Sequence, residues 1–304
     1  MIKKNIVAAD LGLFITALVW GSGFVAVKSA LDNLSPMYIM ISRFGLAWIF
    51  IMVVFHKKLK QVKRTDLKPG IIIGSFLFLG FATQTIGLQY TLAGKQAFLT
   101  GTNVVMVPFI FWLVKKEKTD IYNLVSAFLM FIGIGLLTLN HTLGAGLNKG
   151  DLLTLLCAFF FACHIVSIGI YVRKYDPIIL TMIQFGVTCI LSVIWMGLFE
   201  DFNLFIPTDG LFEIIFLACF STFLAFLLQN ICQKHTTPSH AAIILSQESF
   251  IGSILSILLL GDIFTSKMII GCIMIFLAII TAETKWNFIK KKSRISPGEI
   301  KEEL

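Results

Sequence analysis

Apolar residues run along this chain in long blocks separated by short polar stretches. A membrane-spanning helix needs about 20 mostly apolar residues, each rising ~1.5 Å. Ten blocks meet that length: 9–30, 36–55, 70–91, 95–114, 121–140, 150–172, 178–199, 210–232, 239–260 and 267–284. Ser35-Pro36, Lys68-Pro69-Gly70, Asp176-Pro177 and Thr237-Pro238 punctuate four of the gaps as helix breakers. The connections at Thr91–Lys95 and Thr236–Ser239 are very short. The pattern predicts an all-α membrane protein with ten transmembrane helices.

Composition removes the soluble alternatives. Of 304 residues, 57% are hydrophobic and 14% charged, against about 45–50% and 25% in soluble domains. A globule of this size cannot hide that much apolar surface. With 29 Phe, the chain is not a disordered one either. All six Cys lie inside apolar blocks with no CxxC pair, so they read as small hydrophobes.

The charge of +8 then concerns orientation. With the N-terminus in the cytoplasm, 20 of the 25 basic residues fall on cytoplasmic segments. Basic loops resist translocation, so both termini are expected on the cytoplasmic side of a plasma (inner) membrane, which requires an even helix count. The runs at 57–68 and 285–294 read as anchors near anionic lipid and not as nucleic-acid patches. Lys3 and Lys4 precede an apolar run in the manner of a signal peptide. Asp10 interrupts its start and the run continues to Ala30, so a retained first helix is expected. Trp112, Trp195 and Trp286 fall near expected interfaces, whereas Trp20 and Trp48 lie deeper.

The two halves can be superposed. At an offset of 141, Asp10 meets Asp151, Gly21 meets Ala162, Pro36 meets Pro177 and Arg43 meets Gln184. At an offset of 145, Gln84 meets Gln229, Thr91 meets Thr236, Ala97 meets Ala242, Asn103 meets Glu248 and Glu117 meets Asp262. Residues 1–140 form one repeat, 150–284 the second, and 285–304 a basic cytoplasmic tail. Five helices per repeat is an odd number, so the second copy enters the membrane from the opposite side. Inverted repeats of this kind characterise secondary transporters. Duplication kept only for packing is the alternative.

Several stretches also match a known pattern. They are Leu18-Val19-Trp20-Gly21-Ser22-Gly23-Phe24, Pro36 with Ser42-Arg43-Phe44, and the run from Gly87 to Thr100 leading to Val107-Pro108. The second half repeats the theme in Ala241-Ala242, Ser246-Gln247-Glu248, Gly261-Asp262 and Gly271. In these residues and their order the chain resembles the EamA family of the drug/metabolite transporter superfamily. That resemblance implies ten helices in two inverted five-helix repeats around a central cavity. It also implies export or exchange of small metabolites, often amino acids or their relatives. Ser249 stands where the family often has Pro, and Lys116-Glu117 replaces a Gly-acid pair. Both departures leave the substrate open.

Glu248 lies nine residues after Ser239, roughly 14 Å into the membrane. A charge at that depth costs at least ~2.5–3.5 kcal/mol unless it protonates or lines a wet cavity. Glu248 is expected to bind a cationic or amino group or to carry a coupled proton, with a structural pair to Arg43 as the alternative. Arg43, about 10 Å deep, suits anion binding or a packing clamp. Gln84 and Gln229 suit interhelical hydrogen bonds, while Asn103, Gln184 and Gln247 have more room for substrate. His164 reads as a neutral core histidine or a proton relay, and Trp20 as a cavity wall. Lys95 and His240, equivalent under the repeat and starting helices at opposite faces, are candidate gates.

No phosphate loop, HExxH, GxSxG or metal-ligand cluster is present, so no cofactor and no enzymatic activity are expected. The expected partners are a small-molecule substrate and the lipid bilayer, with protons and a homodimer left open. The reading is a carrier of a small polar metabolite by alternating access. A lipid or lipid-linked sugar flippase is the rival.

Overall fold

A computed structural model describes residues 2–116, 121–138, 148–200 and 210–284, all as helices and short connections. Besides a single turn at His56–Leu59, the helices are α1 (Ile2–Ala30), α2 (Pro36–Val54), α3 (Arg64–Leu88), α4 (Ala93–Gly101 and Asn103–Lys115), α5 (Ile121–Thr138) and α6 (Lys149–Tyr171). They continue with α7 (Pro177–Phe199), α8 (Leu211–Phe216, Leu217–Leu224 and Ala225–Gln233), α9 (Pro238–Leu245 and Gln247–Leu260) and α10 (Ser266–Thr284). Eight are long and apolar enough to cross a membrane. α5 and α10 carry shorter apolar stretches, Leu124–Leu137 and Ser266–Thr281. The expected tail 285–304, with Trp286, and Glu117 lie outside the described residues.

Three of the breakers turn out to be helix starts. Ser35, Asp176 and Thr237 each accept a backbone N–H of the following turn, and each precedes a proline at the first helical position. That combination satisfies an orphan donor and places proline where no N–H is missed. The fourth, Pro69, does not break the chain. α3 begins earlier, at Arg64, where Asp66 accepts from the Lys63 N–H at 2.7 Å.

Lipid tails are as apolar as leucine, so association depends on close approach at small residues. Gly21 of α1 and Gly252 of α9 face each other across one such seam. A Cβ on Gly252 would stand 2.9 Å from Ala97 Cβ and 3.2 Å from Gly21 O. Gly133 of α5 and Gly271 of α10 make another, with backbone atoms of the partner helix at 2.8–3.0 Å from either added Cβ.

The packing has a regularity of its own. α3 packs on α6 and α7, and α8 packs on α1 and α2. α4 packs on α6, and α9 on α1. α2 meets α7 and α5 meets α10. Exchanging each helix with the one five places later maps this set of contacts onto itself.

The interior between the halves is aromatic. Phe81 stands edge-on to Phe44, Phe161 and Phe226, with ring centroids 5.2, 5.1 and 5.8 Å apart. Trp48 packs against Gly186 of α7. The outer faces of the helices carry exposed side chains such as Phe128, Phe131 and Leu258, as a lipid-facing surface requires.

Candidate functional site

A cavity lies among α1, α2, α3, α4, α6, α8 and α9. Its walls include Trp20, Arg43, Gln84, Asn103, His164, Gln229 and Glu248. These residues come from both halves of the sequence.

Arg43 is 2% exposed and is held by α8. Its Nε donates to Thr222 Oγ1 at 2.9 Å and its Nη2 to Ser221 Oγ at 3.2 Å. Its guanidinium carbon sits 4.5 Å from the centre of the Phe81 ring and 5.3 Å from that of Phe44. Such ring faces stabilise a cation by their quadrupole. Ser221 and Thr222 reach Arg43 from a π-helical stretch, Leu217–Leu224. A π turn leaves backbone groups with looser partners and recurs at functional sites. Here the Ser221 carbonyl accepts the Trp20 indole N–H at 3.0 Å, fastening α1 to α8.

Glu248 sits in the first turn of the second piece of α9, 7% exposed. Among the described residues it has no hydrogen bond or ion pair, and Arg43 is not its partner. The structural pair considered from sequence therefore does not form; the π stretch supplies neutral oxygens to Arg43 instead. An arginine and a carboxyl group thus face one cavity with no bond between them.

The position of Glu248 follows from an interruption in α9. Ser246 Oγ turns back to Ile243 O at 2.6 Å, and in α4 Thr102 Oγ1 does the same to Leu99 O at 2.6 Å. Such hydroxyl back-bonding bends helices. The repeat mates Asn103 and Glu248 each sit in the first turn of a half-helix. Half-helix N-termini favour negative or electron-rich groups through their unpaired N–H dipoles.

The amides differ in their surroundings. Gln84 Nε2 reaches Thr100 Oγ1 at 3.4 Å. Gln229 is fully buried on the cavity wall with neither amide atom hydrogen-bonded. His164 Nε2 lies 3.1 Å from Gln184 Oε1. Gln184 therefore stands behind His164 and not on the wall. Gln247 is half-buried and also off the wall, because one helical residue turns it about 100° from Glu248.

Neither candidate gate lines the cavity. Lys95 Nζ lies 2.6 Å from Asp151 Oδ2, and Asp151 Oδ1 also accepts from Thr91 Oγ1 at 2.9 Å. His240 Nε2 lies 3.0 Å from Asp10 Oδ1. Outside the spans, Lys58 pairs with Asp176 in the connection before α7. Partial burial alone would raise the Asp176 carboxyl. The Lys58 hydrogen bond, the backbone N–H groups of Ile178 and Ile179 and the Lys58 charge outweigh that and hold it below the usual aspartate range.

Sequence reasoning missed the wall residues Ser221, Gln96, Phe81, Phe161 and Phe226, and Thr222, which holds Arg43. Hydroxyls within apolar spans were the available signal for Ser221 and Thr222. In a chain with 29 Phe, no single phenylalanine signals a wall.

The model of the EamA-like transporter family matches residues 7–139 and 148–283, one copy on each half. The chain belongs to the EamA-like transporter family. Among its relatives, an uncharacterized transporter of Archaeoglobus fulgidus is 38% identical over 272 residues, 90% of this chain and 84% of that one. A Chlamydia muridarum protein named as an S-adenosylmethionine/S-adenosylhomocysteine transporter is 28% identical over 108 residues, 34% of each chain. A solved crystal structure shares the fold with a TM-score of 0.68 at 16% identity, over 91% of this chain and 98% of that one. This EamA-like chain is thus a multi-pass membrane transporter with two family repeats.

Proposed function

We propose that this protein carries a small zwitterionic metabolite, an amino acid or a relative of one, by alternating access. The observation that carries the reading is the cavity with Arg43 and Glu248 on its walls, each without a charged partner among the described residues. A substrate carboxylate at Arg43 and an ammonium at Glu248 would neutralise both. Gln229 offers an unpaired donor and acceptor, and the ring faces of Phe81, Phe161 and Phe226 suit an apolar body. Glu248 also suits the alternative role of carrying a coupled proton once the substrate leaves. The Chlamydia relative's named substrates each join an amino-acid zwitterion to an aromatic base, which agrees with these walls.

Alternating access needs the two repeats to run in opposite directions, with α5 and α10 completing ten crossings. Hydrogen bonds support that reading. Asp10, near the start of α1, pairs with His240 at the start of α9. Lys28, near the end of α1, donates to Leu88 O and Thr91 O, and Thr91 bonds Asp151 at the start of α6. α1 then ends where α6 begins, as inverted copies require. The exchange-symmetric packing agrees with a two-fold relation between the repeats.

The test is a screen with purified protein in lipid vesicles, comparing amino acids and adenosyl amino acids with and without an imposed pH gradient. Counterflow of at least one compound bearing both an ammonium and a carboxylate is expected. Movement of lipid analogues with none of these would overturn the proposal.

A further inference from the structure

The two basic–acidic side-chain contacts, Lys95 with Asp151 and His240 with Asp10, are one contact seen twice. Asp10 and Asp151 are mates at an offset of 141, and Lys95 and His240 are mates at 145. The contact from Lys95 to Asp151 joins α4 to α6; its image under the repeat joins α9 to α1, where His240 meets Asp10. The residue matches were visible in the sequence, but their pairing across different helices was not.

The pairs lie far apart. Asp10 stands near one end of α1. Lys28, near the other end, shares Thr91 with Asp151. Eighteen residues of helix separate Asp10 from Lys28, about 27 Å along α1. The cavity lies between.

The mates are unequal in this structure. The Lys95 and Asp151 side chains are 8% and 0% exposed, and Gln96 reinforces them by donating to Thr154 Oγ1 at 3.2 Å. The His240 and Asp10 side chains are 47% and 35% exposed. Among the described residues, Thr236, the mate of Thr91, does not repeat the threonine bond to the aspartate. Behind the exposed pair lies a small apolar plug that includes Leu13, Ala241 and Leu245, and Leu245 also touches the cavity. One end is bolted and dry; the other is held loosely.

We propose that Lys95–Asp151 and His240–Asp10 are repeat-related latches that close opposite faces of the cavity and open in turn, never together. This rests on the alternating-access reading above and adds the aspartates as the strikes of the two gates. The structure then represents the state closed at the Lys95 face. Opening that face separates a buried pair, which becomes tolerable only as water enters, while the Asp10 pair tightens into the dry geometry now held by its mate.

The test reads cavity access without needing a substrate. With the six native cysteines replaced by alanine, Ile165→Cys places one thiol on the cavity wall. Its modification by a membrane-impermeant maleimide is timed from each face in oriented vesicles. Asp151→Asn should speed labelling from the Lys95 face by roughly tenfold or more, since losing one member of a buried pair is strongly destabilising to the closed state. Asp10→Asn should shift access the other way, slowing labelling from the Lys95 face and leaving it at least as fast from the His240 face. The exchange Lys95→Asp with Asp151→Lys guards against misfolding and should restore the original sidedness. Labelling unchanged by Asp151→Asn, or changed alike by Asp151→Asn and the exchange, would overturn the latches. A thiol that no variant exposes from either face would instead overturn alternating access itself.

Discussion

Replacing Glu248 by glutamine separates binding from folding. Glu248 has no partner among the described residues, so the substitution orphans no protein group. It also removes a carboxylate that costs at least ~2.5–3.5 kcal/mol at mid-membrane when charged. The variant should therefore melt no lower than the parent. Binding should suffer, because a substrate ammonium would enter a cavity lacking its counter-charge. Removing one member of a buried charge pair costs about 2–5 kcal/mol. The lower bound corresponds to an apparent affinity about 30-fold weaker. Competition in vesicle uptake would measure it, using an amino acid beside its carboxylate-only and amine-only analogues. The parent should favour the full zwitterion, and Glu248→Gln should lose that preference over the carboxylate-only analogue. Undiminished affinity for the zwitterion in a folded Glu248→Gln protein would show that this carboxylate does not receive the ammonium.

Other consequences are open to measurement. Arg43→Gln should weaken the carboxylate-only analogue and spare the amine-only one, the reverse of Glu248→Gln, in the same competition series. Gly252→Ala should cost about 1–3 kcal/mol by overpacking α9 against α4 and α1, seen as a lower melting temperature in detergent, because Ala97 Cβ of α4 stands only 2.9 Å and Gly21 O of α1 3.2 Å from the new methyl. Lys116 ends α4 in the left-handed region at φ 58°, where its repeat mate Gly261 ends α9 at φ 69°. Lys116→Gly should therefore stabilise the protein by about 1 kcal/mol in the same melt. The Asp176 carboxyl titrates below its unfolded value. Its contribution is present at neutral pH and fades as pH falls through the folded value. Asp176→Asn should cost less than ~1 kcal/mol near pH 7 for so exposed a pair, with the difference from the parent vanishing in acid.

Much of the plan was legible because the physics of lipid writes long blocks and leaves charges conspicuous. Glu248 and Arg43 stood out as ionisable groups inside apolar spans, and both face the cavity. Gln84, Asn103 and Gln229 share its walls, while Gln184 and Gln247 do not, since a mid-helix amide looks the same from sequence whichever side it faces. The pairing of Arg43 was not legible. It depends on a π-helical stretch in α8, and hydrophobicity does not distinguish a π turn from an α turn. The interruptions at Thr102 and Ser246 were equally hidden, because a hydroxyl that bonds backward reads like any other polar residue in a span. The partners of Lys95 and His240 come from helices remote in the chain, so only the fold could bring the repeat mates Asp151 and Asp10 to them.

Alternating access stands or falls with a second repeat that lies upside down relative to the first. Ala8 and Lys149 are mates at the starts of α1 and α6, and both are exposed. Each, as the sole cysteine in the chain, can be tested with an impermeant maleimide on sealed vesicles of known orientation. Inverted repeats require Ala8→Cys and Lys149→Cys to be labelled from opposite sides; labelling of both from one side would rule the inversion out.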